Sequence, residues 1–229
     1  MRLHRFFLKD LEVSQNNISV SSTDLIHQWR SVFRLQVGDN VILFNGSGKD
    51  LLCRIEIMAR DGVKLTRVSE EERNTKPSKE LTLFFSVIKK DKNEWILQKG
   101  TEIGVSHFVP VISERSEKKN LDLVRAEKII IEAVEQSGRS DIPSLASPIS
   151  LEEALTSQKI PTIILDAEGK KFEIPKERSF GIFIGPEGGW GEKDKKLFSE
   201  NNVTFASIGK LTLRAETAAI AAVALTLLL

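Results

Sequence analysis

Phe180-Gly181-Ile182-Phe183-Ile184-Gly185-Pro186-Glu187-Gly188-Gly189 decides how this chain is read. The apolar run reads as a strand. The glycines that follow, set around a proline, permit backbone angles closed to other residues, so peptide N–H and C=O groups can approach a flat ligand such as adenine. The spacing matches no dinucleotide fingerprint, and no Lys-Ser/Thr pair follows as in a P-loop. A tight strand-to-helix turn is the plainer reading of an isolated Gly/Pro cluster.

Working outward, the segments on both sides alternate. Strands are expected at Leu81 to Ile88, Phe108 to Ile112, Thr162 to Asp166 and Val203 to Ile208. Helices are expected around Lys92 to Ile103, Leu123 to Ser137, Leu151 to Leu155, Glu192 to Ser199 and Ala215 to Leu229. Such alternation predicts an α/β fold with a mostly parallel sheet covered on both faces.

The N-terminal third reads differently. Short β segments are expected at Asn17 to Val20, Asn40 to Phe44, Leu51 to Met58 and Val63 to Val68, with Asn45-Gly46-Ser47-Gly48 as a hairpin signal. Together they suggest a small barrel, interrupted by a helical rhythm over Ser22 to Phe33. The polar stretch Ser69 to Lys79 has no apolar face to bury and reads as a linker. Two domains are therefore expected, 1–72 and 73–229.

Composition narrows the function classes. With 229 residues, 41% of them hydrophobic, the chain can bury a core. Its 33 Lys+Arg against 32 Asp+Glu leave a net charge of +1, so a nucleic-acid surface would be a local patch rather than a bulk field. The one cysteine, Cys53, sits in a strand-like run and reads as a structural thiol in a reducing compartment. His4, His27 and His107 are scattered, and no metal site is expected. The N-terminus lacks a secretory core, and Ala215 to Leu229 is too short to span a membrane. A cytoplasmic protein is expected.

Ligands of open parallel sheets bind at the carboxyl ends of the strands. Besides the Gly185 loop, this points to Asp166-Ala167-Glu168-Gly169 and to Gly209-Lys210-Leu211-Thr212-Leu213-Arg214, which leads into Ala215-Glu216-Thr217-Ala218. A guanidinium where a loop meets a helix N-terminus can hold an anion or a developing negative charge. Arg214 could equally face solvent, and Glu216 could simply complement the helix dipole or pair with Arg214.

Taken together, the Gly185 to Gly189 run and Leu213-Arg214-Ala215-Glu216-Thr217-Ala218 resemble the RsmE branch of the SPOUT methyltransferases. The usual family form has Thr where this chain has Ala215. Gln98 to Val105, Glu114-Arg115-Ser116 and Glu135-Gln136-Ser137-Gly138-Arg139 match as well. Arg2 to Phe7, His27 with Arg34, and Gly38-Asp39 resemble the family's PUA-like domain. The similarity covers nearly the whole chain.

The resemblance implies a SPOUT-type parallel sheet with a deep trefoil knot, preceded by a PUA-like β-barrel. It implies S-adenosylmethionine bent among the knot loops, with contacts from Leu165, Gly185, Glu187, Gly188, Ile208, Leu211, Leu213 and Thr217. The activity implied is methylation of N3 of a 16S ribosomal RNA uridine near the decoding site, in assembled small subunits. Uridine N3 is protonated at neutral pH, so a positioned cation must stabilise the anion that attacks. Arg214 is the candidate, with Glu102 or Glu216 as proton acceptor. RNA contacts are expected from Arg2, Arg5, Arg30, Arg34, Lys89, Lys90, Arg115, Lys118 and Lys119, and base contacts from Gln136 and Arg139. Trp29 and Trp95 fall on helical apolar rhythms and are expected in the core. A homodimer through the apolar terminal helix is implied. Two other readings remain open: a non-catalytic ribosome-assembly factor, and a SPOUT enzyme acting on a ribose 2′-O or a guanosine.

Overall fold

The computed structural model describes residues 3–157, 159–201 and 203–229. They gather into two compact units: the described chain up to Thr75 together with Gly138–Asp141, and Lys76–Ser137 together with Ile142–Leu229. Arg2, expected at an RNA surface, lies outside the described residues.

The first unit is a curled five-stranded sheet, a half-barrel. Its strands are β1 (Arg5–Phe7), β2 (Asn17–Val20), β3 (Asn40–Phe44), β4 (Lys49–Met58) and β5 (Val63–Glu72), in the order β1-β3-β4-β5-β2. Side chains alternate between faces along a strand, and Val41 and Leu43, Leu51, Cys53 and Ile55, and Val63 and Leu65 accordingly face one core, which Phe6 and Trp29 complete. The hairpin signal holds: Asn45 Oδ1 accepts from Ser47 N at 3.0 Å, and Gly46 and Gly48 take φ of 84° and 90°. Ser22 caps α1 (Thr23–His27), which runs into a π-helical turn over Gln28–Val32.

Two features differ from expectation. Ser69 to Glu72, read as linker, are the end of β5 and pair with Lys49 to Leu52. Their side chains are exposed instead of facing a core, Glu70 pairing with Lys49 and Arg67, so no apolar alternation betrays the strand. Gly138–Asp141, far off in sequence, joins this unit through Arg73 Nε donating to Gly138 O at 2.7 Å and through reciprocal bonds between Thr75 and Ser140.

The second unit holds a parallel sheet of seven strands. These are β6 (Glu80–Ser86), β7 (His107–Ile112), β8 (Ser144–Leu145), β9 (Ile149–Ser150), β10 (Thr162–Lys171), β11 (Ser179–Ile184) and β12 (Thr204–Ser207). The order is β12-β10-β11-β6-β7-β8, with β9 also on β7. Every residue of Leu81–Ser86 is buried, as expected of a central strand covered on both faces. Phe84 lies opposite Phe183 in the ladder, and their rings stack at 4.1 Å.

The helices are α2 (Lys90–Ile103), α3 (Leu123–Ser137), α4 (Leu151–Thr156), α5 (Glu192–Glu200) and α6 (Ala215–Leu227). Helix α3 buries Ala126, Ile129, Ile130, Ala133 and Val134, the i, i+3, i+4, i+7, i+8 stripe of an amphipathic helix. Trp95 corrects an expectation: α2 buries Asn93, Ile96, Leu97, Gly100 and Thr101, which turns Trp95 outward at 51% exposure. Trp29 is fully buried.

Strand β10 extends beyond the expected Asp166. It leaves the ladder after Leu165 and rejoins at Lys170, both paired to Ala206, so four residues bulge outward. Gly169 permits this closure, because a Cβ there would lie 2.5 Å from the Ala206 backbone. After β12 the chain returns as α6 to pack on α2, β11 and β6.

Candidate active site

Because β10, β11 and β12 run parallel, their carboxyl ends send three excursions to one edge of the sheet. These are the bulge at Asp166 and Ala167, the loop Gly185–Trp190, and the loop Ile208–Arg214. They enclose a cavity of about 370 Å³. Leu165, Ile184, Ile208 and Leu213 supply apolar wall, and Gly185 lets the backbone pass close to the Trp190 ring, where a Cβ would sit 3.0 Å away. Leu211 also lines the cavity while 80% exposed, an apolar side chain left for a ligand to cover.

The Gly185 loop is braced from several sides. Trp190 Nε1 donates to Leu165 O at 3.0 Å, which ties the loop after β11 to β10. Arg115 Nη1 donates to Gly188 O at 2.7 Å. The buried Asp194 accepts from Gly191 N at 2.9 Å and Glu114 N at 3.0 Å, while Glu114 Oε2 accepts from Lys193 N at 2.8 Å.

Polar groups gather on one side of the cavity. Arg214 is the N-cap of α6, and its guanidinium makes no hydrogen bond or ion pair among the described residues. Lys92 Nζ, from the first turn of α2, lies 3.0 Å from Glu187 Oε1 and 3.7 Å from Glu216 Oε2. Burial pushes the Glu187 carboxyl up, but its own amide and the Lys92 ammonium outweigh that and hold it below the usual value. The Glu187 hydrogen bond in turn raises the Lys92 pKa against the opposing cost of burial, keeping it an ammonium. Glu216 Oε2 is buried and accepts no hydrogen bond among the described residues. An unpaired guanidinium at a helix N-terminus beside an apolar cavity suits a ligand with a flat apolar part and a partner that develops negative charge.

The model of the RNA methyltransferase domain matches residues 74–227, and that of the RNA methyltransferase PUA domain matches residues 30–66. The chain is 33% identical over 191 residues to the ribosomal RNA small subunit methyltransferase E of Aquifex aeolicus, covering 78% of this chain and 81% of the relative. The chain belongs to this methyltransferase E family. The Rickettsia conorii protein of the same name is 28% identical over 232 residues, covering 98% and 95%. The crystal structure of the Neisseria gonorrhoeae ribosomal RNA small subunit methyltransferase E bound to S-adenosylmethionine superposes with a TM-score of 0.89 at 28% identity, covering 98% of this chain and 96% of that one.

Of the residues that the methyltransferase E resemblance singles out, Leu165, Gly185, Glu187, Ile208, Leu211, Leu213 and Arg214 line the cavity. Gly188 and Thr217 do not. The first spends its carbonyl on Arg115, and the second is exposed one turn into α6. Glu216 does not line the cavity either and is connected to it through Lys92, which pairs with the lining Glu187, whereas Glu102 stands ten residues further along α2, about 15 Å by helical rise, and pairs with Lys99 at 2.8 Å. Within one chain, Glu102 is therefore remote from the cavity.

Two expected RNA contacts are corrected. Arg5 is 9% exposed, holds Asp50 through two bonds of 2.8 and 2.7 Å, and lies over the Phe44 ring. Arg139 is 4% exposed and grips Asp141 at 2.8 and 2.9 Å. Both guanidinia serve the fold. Arg30, Arg34, Lys89, Lys90, Lys118, Lys119 and Gln136 are exposed, and so is Arg115 despite its bond to Gly188. The sequence gives no sign of Lys92 as part of the site, since it reads as one more lysine in a run of surface cations. Among the described residues no cluster of His, Cys, Asp or Glu is arranged to hold a metal, and no helix is long and apolar enough to cross a membrane.

Proposed function

We propose that this chain transfers a methyl group from S-adenosylmethionine to N3 of a uridine in 16S ribosomal RNA, acting on assembled small subunits in the cytoplasm. The observation that carries the reading is the cavity at the carboxyl ends of β10, β11 and β12 with the unpaired Arg214 at its side, in a chain whose relatives bear the methyltransferase E name.

The residues fit the cofactor. Apolar walls and a glycine loop accept a flat adenine and leave backbone groups to pair with it, so Leu165, Gly185, Glu187, Ile208, Leu211 and Leu213 would hold S-adenosylmethionine. When bound, it supplies an electrophilic methyl that needs a nucleophile in line. The chain's own work is to prepare that nucleophile. N3 must lose its proton, and the charge spreads to O2 and O4; Arg214 faces that charge, and Glu216 is the proton acceptor that the geometry favours over Glu102.

Three further parts of the reading rest on the topology. Residues 1–72 form the RNA-binding domain, presenting Arg30 and Arg34, and residues 73–229 form the catalytic one, which adds Arg115, Lys118 and Lys119 and the exposed Gln136. The return of α6 past β11 and β6 after β12 supports a trefoil knot. Helix α6 buries Ala215, Ala219, Ala222, Val223 and Thr226, leaving Ile220, Ala221, Ala224 and Leu228 partly or fully open. That second apolar face supports a homodimer.

Methyl incorporation into unmodified small subunits tests the assignment of Arg214. Arg214→Ala is expected to lower kcat by about 10²-fold, the scale of losing one preorganised charge-stabilising donor, with cofactor binding retained by calorimetry. Full turnover in the folded variant would remove Arg214 from the mechanism.

A further inference from the structure

We infer that Lys92 is a positioning residue for methyl transfer, its one ammonium holding the Gly185 loop and the first turn of α6 in register by taking Glu187 and Glu216 together. This rests on the proposed function and concerns a residue that neither the motif nor the glycine loop contains.

Three separate elements meet at this atom. Glu187 Oε1 comes from the loop after β11 at 3.0 Å, and Glu216 Oε2 from α6 at 3.7 Å, while Lys92 itself is anchored in α2. Glu187 lines the cavity, and the first turn of α6 also carries Arg214. Moving Lys92 would thus release a cavity wall and a candidate proton acceptor at once.

The contact to Glu216 is an ion pair without a hydrogen bond, and Glu216 Oε2 has no other polar partner among the described residues. A buried oxygen left in that state is costly unless a charge balances it. The ammonium supplies the charge. The charged groups facing the cluster are Lys92 and Lys89 from the start of α2, Glu187 from the loop, and Glu216 and Arg214 from α6. Without Lys92, two carboxylates share the site with Lys89, which faces Glu187, and with Arg214, which the proposed function directs at substrate. Like charges resist joint ionisation, so one carboxyl of the pair titrates at higher pH. If the proton sits on Glu216, the acceptor is lost; if it sits on Glu187, the loop loses its tether.

The test is kcat against pH, at saturating S-adenosylmethionine and small subunits, for the wild type, Lys92→Met and Lys92→Met/Glu187→Gln. Lys92→Met is expected to lose about 10- to 100-fold in kcat near pH 7 and to move the acid limb up by about one pH unit. The double variant, with one carboxylate remaining but no ammonium beside it, is expected to bring the limb part of the way back towards the wild-type position, and Lys92→Gln carries the test if Lys92→Met does not fold. A Lys92→Met limb that stays put, or a double variant whose limb does not move back from the Lys92→Met position, overturns the assignment. So does a change confined to the KM for small subunits, which would make Lys92 a phosphate contact. If the wild type transfers no methyl, the proposed function falls and this inference with it; normal wild-type transfer with an unmoved limb removes Lys92 alone.

Discussion

Removing the Arg5 side chain is expected to destabilise the first unit by about 2–3 kcal/mol, because the buried Asp50 would lose its two charge-assisted hydrogen bonds to Arg5 and keep only Arg73 at 3.3 Å. Urea denaturation of Arg5→Ala measures this, and a loss under 1 kcal/mol would mean that Arg73 alone suffices to hold Asp50. Cys53 offers a pH-dependent counterpart. Burial pushes its thiol up to about 11, so at pH 8 only about one molecule in a thousand carries the thiolate that alkylating reagents attack. Native protein should resist iodoacetamide at pH 8 and react once unfolded. The sign for stability follows: a raised thiol pKa means the folded state prefers the neutral form. The stabilising contribution is therefore intact below the ordinary thiol value near 9 and lost as pH climbs towards 11. At this scale the sequence was legible where chemistry is local. The glycine loop and Arg214 announce themselves through neighbours in the chain. Lys92 does not, because its partner Glu187 lies 95 residues away, and an arginine that pairs inward reads the same as one that faces RNA.

Elements with a strong period were equally legible. Helix α3 carries its buried stripe openly, and β6 and β11 are mostly apolar runs because both faces are covered. Where a ladder is built from polar residues the signal vanishes, as in the end of β5 and in Lys170–Lys171 of β10. The two-residue strands β8 and β9 are too short for any period to appear. Helix α6 shows the opposite difficulty, being apolar on all sides, so its sequence cannot say which face meets its own fold. The structure separates the buried Ala219, Ala222 and Val223 from the opposite face that includes Ala221. Ala221→Glu would put a charge in the proposed subunit contact. Sedimentation should then report a shift from dimer to monomer in a chain that keeps its helical signal; an unaltered dimer would locate the contact elsewhere.

For the molecule as a whole, a net charge of +1 leaves no long-range field to draw in RNA, so the proposed recognition of RNA would have to rest on patches such as Arg30 with Arg34 and Lys118 with Lys119. The family match spans both units and assigns the class of reaction, while the proposed chemistry at N3 gives Arg214 and Glu216 the decisive roles. The most direct measurement is mass spectrometry of nuclease fragments of 16S ribosomal RNA from unmodified small subunits incubated with the protein and S-adenosylmethionine. One added methyl on a uridine base, at N3, is the expected result. A methyl on a ribose or a guanine, or none at all, would contradict it.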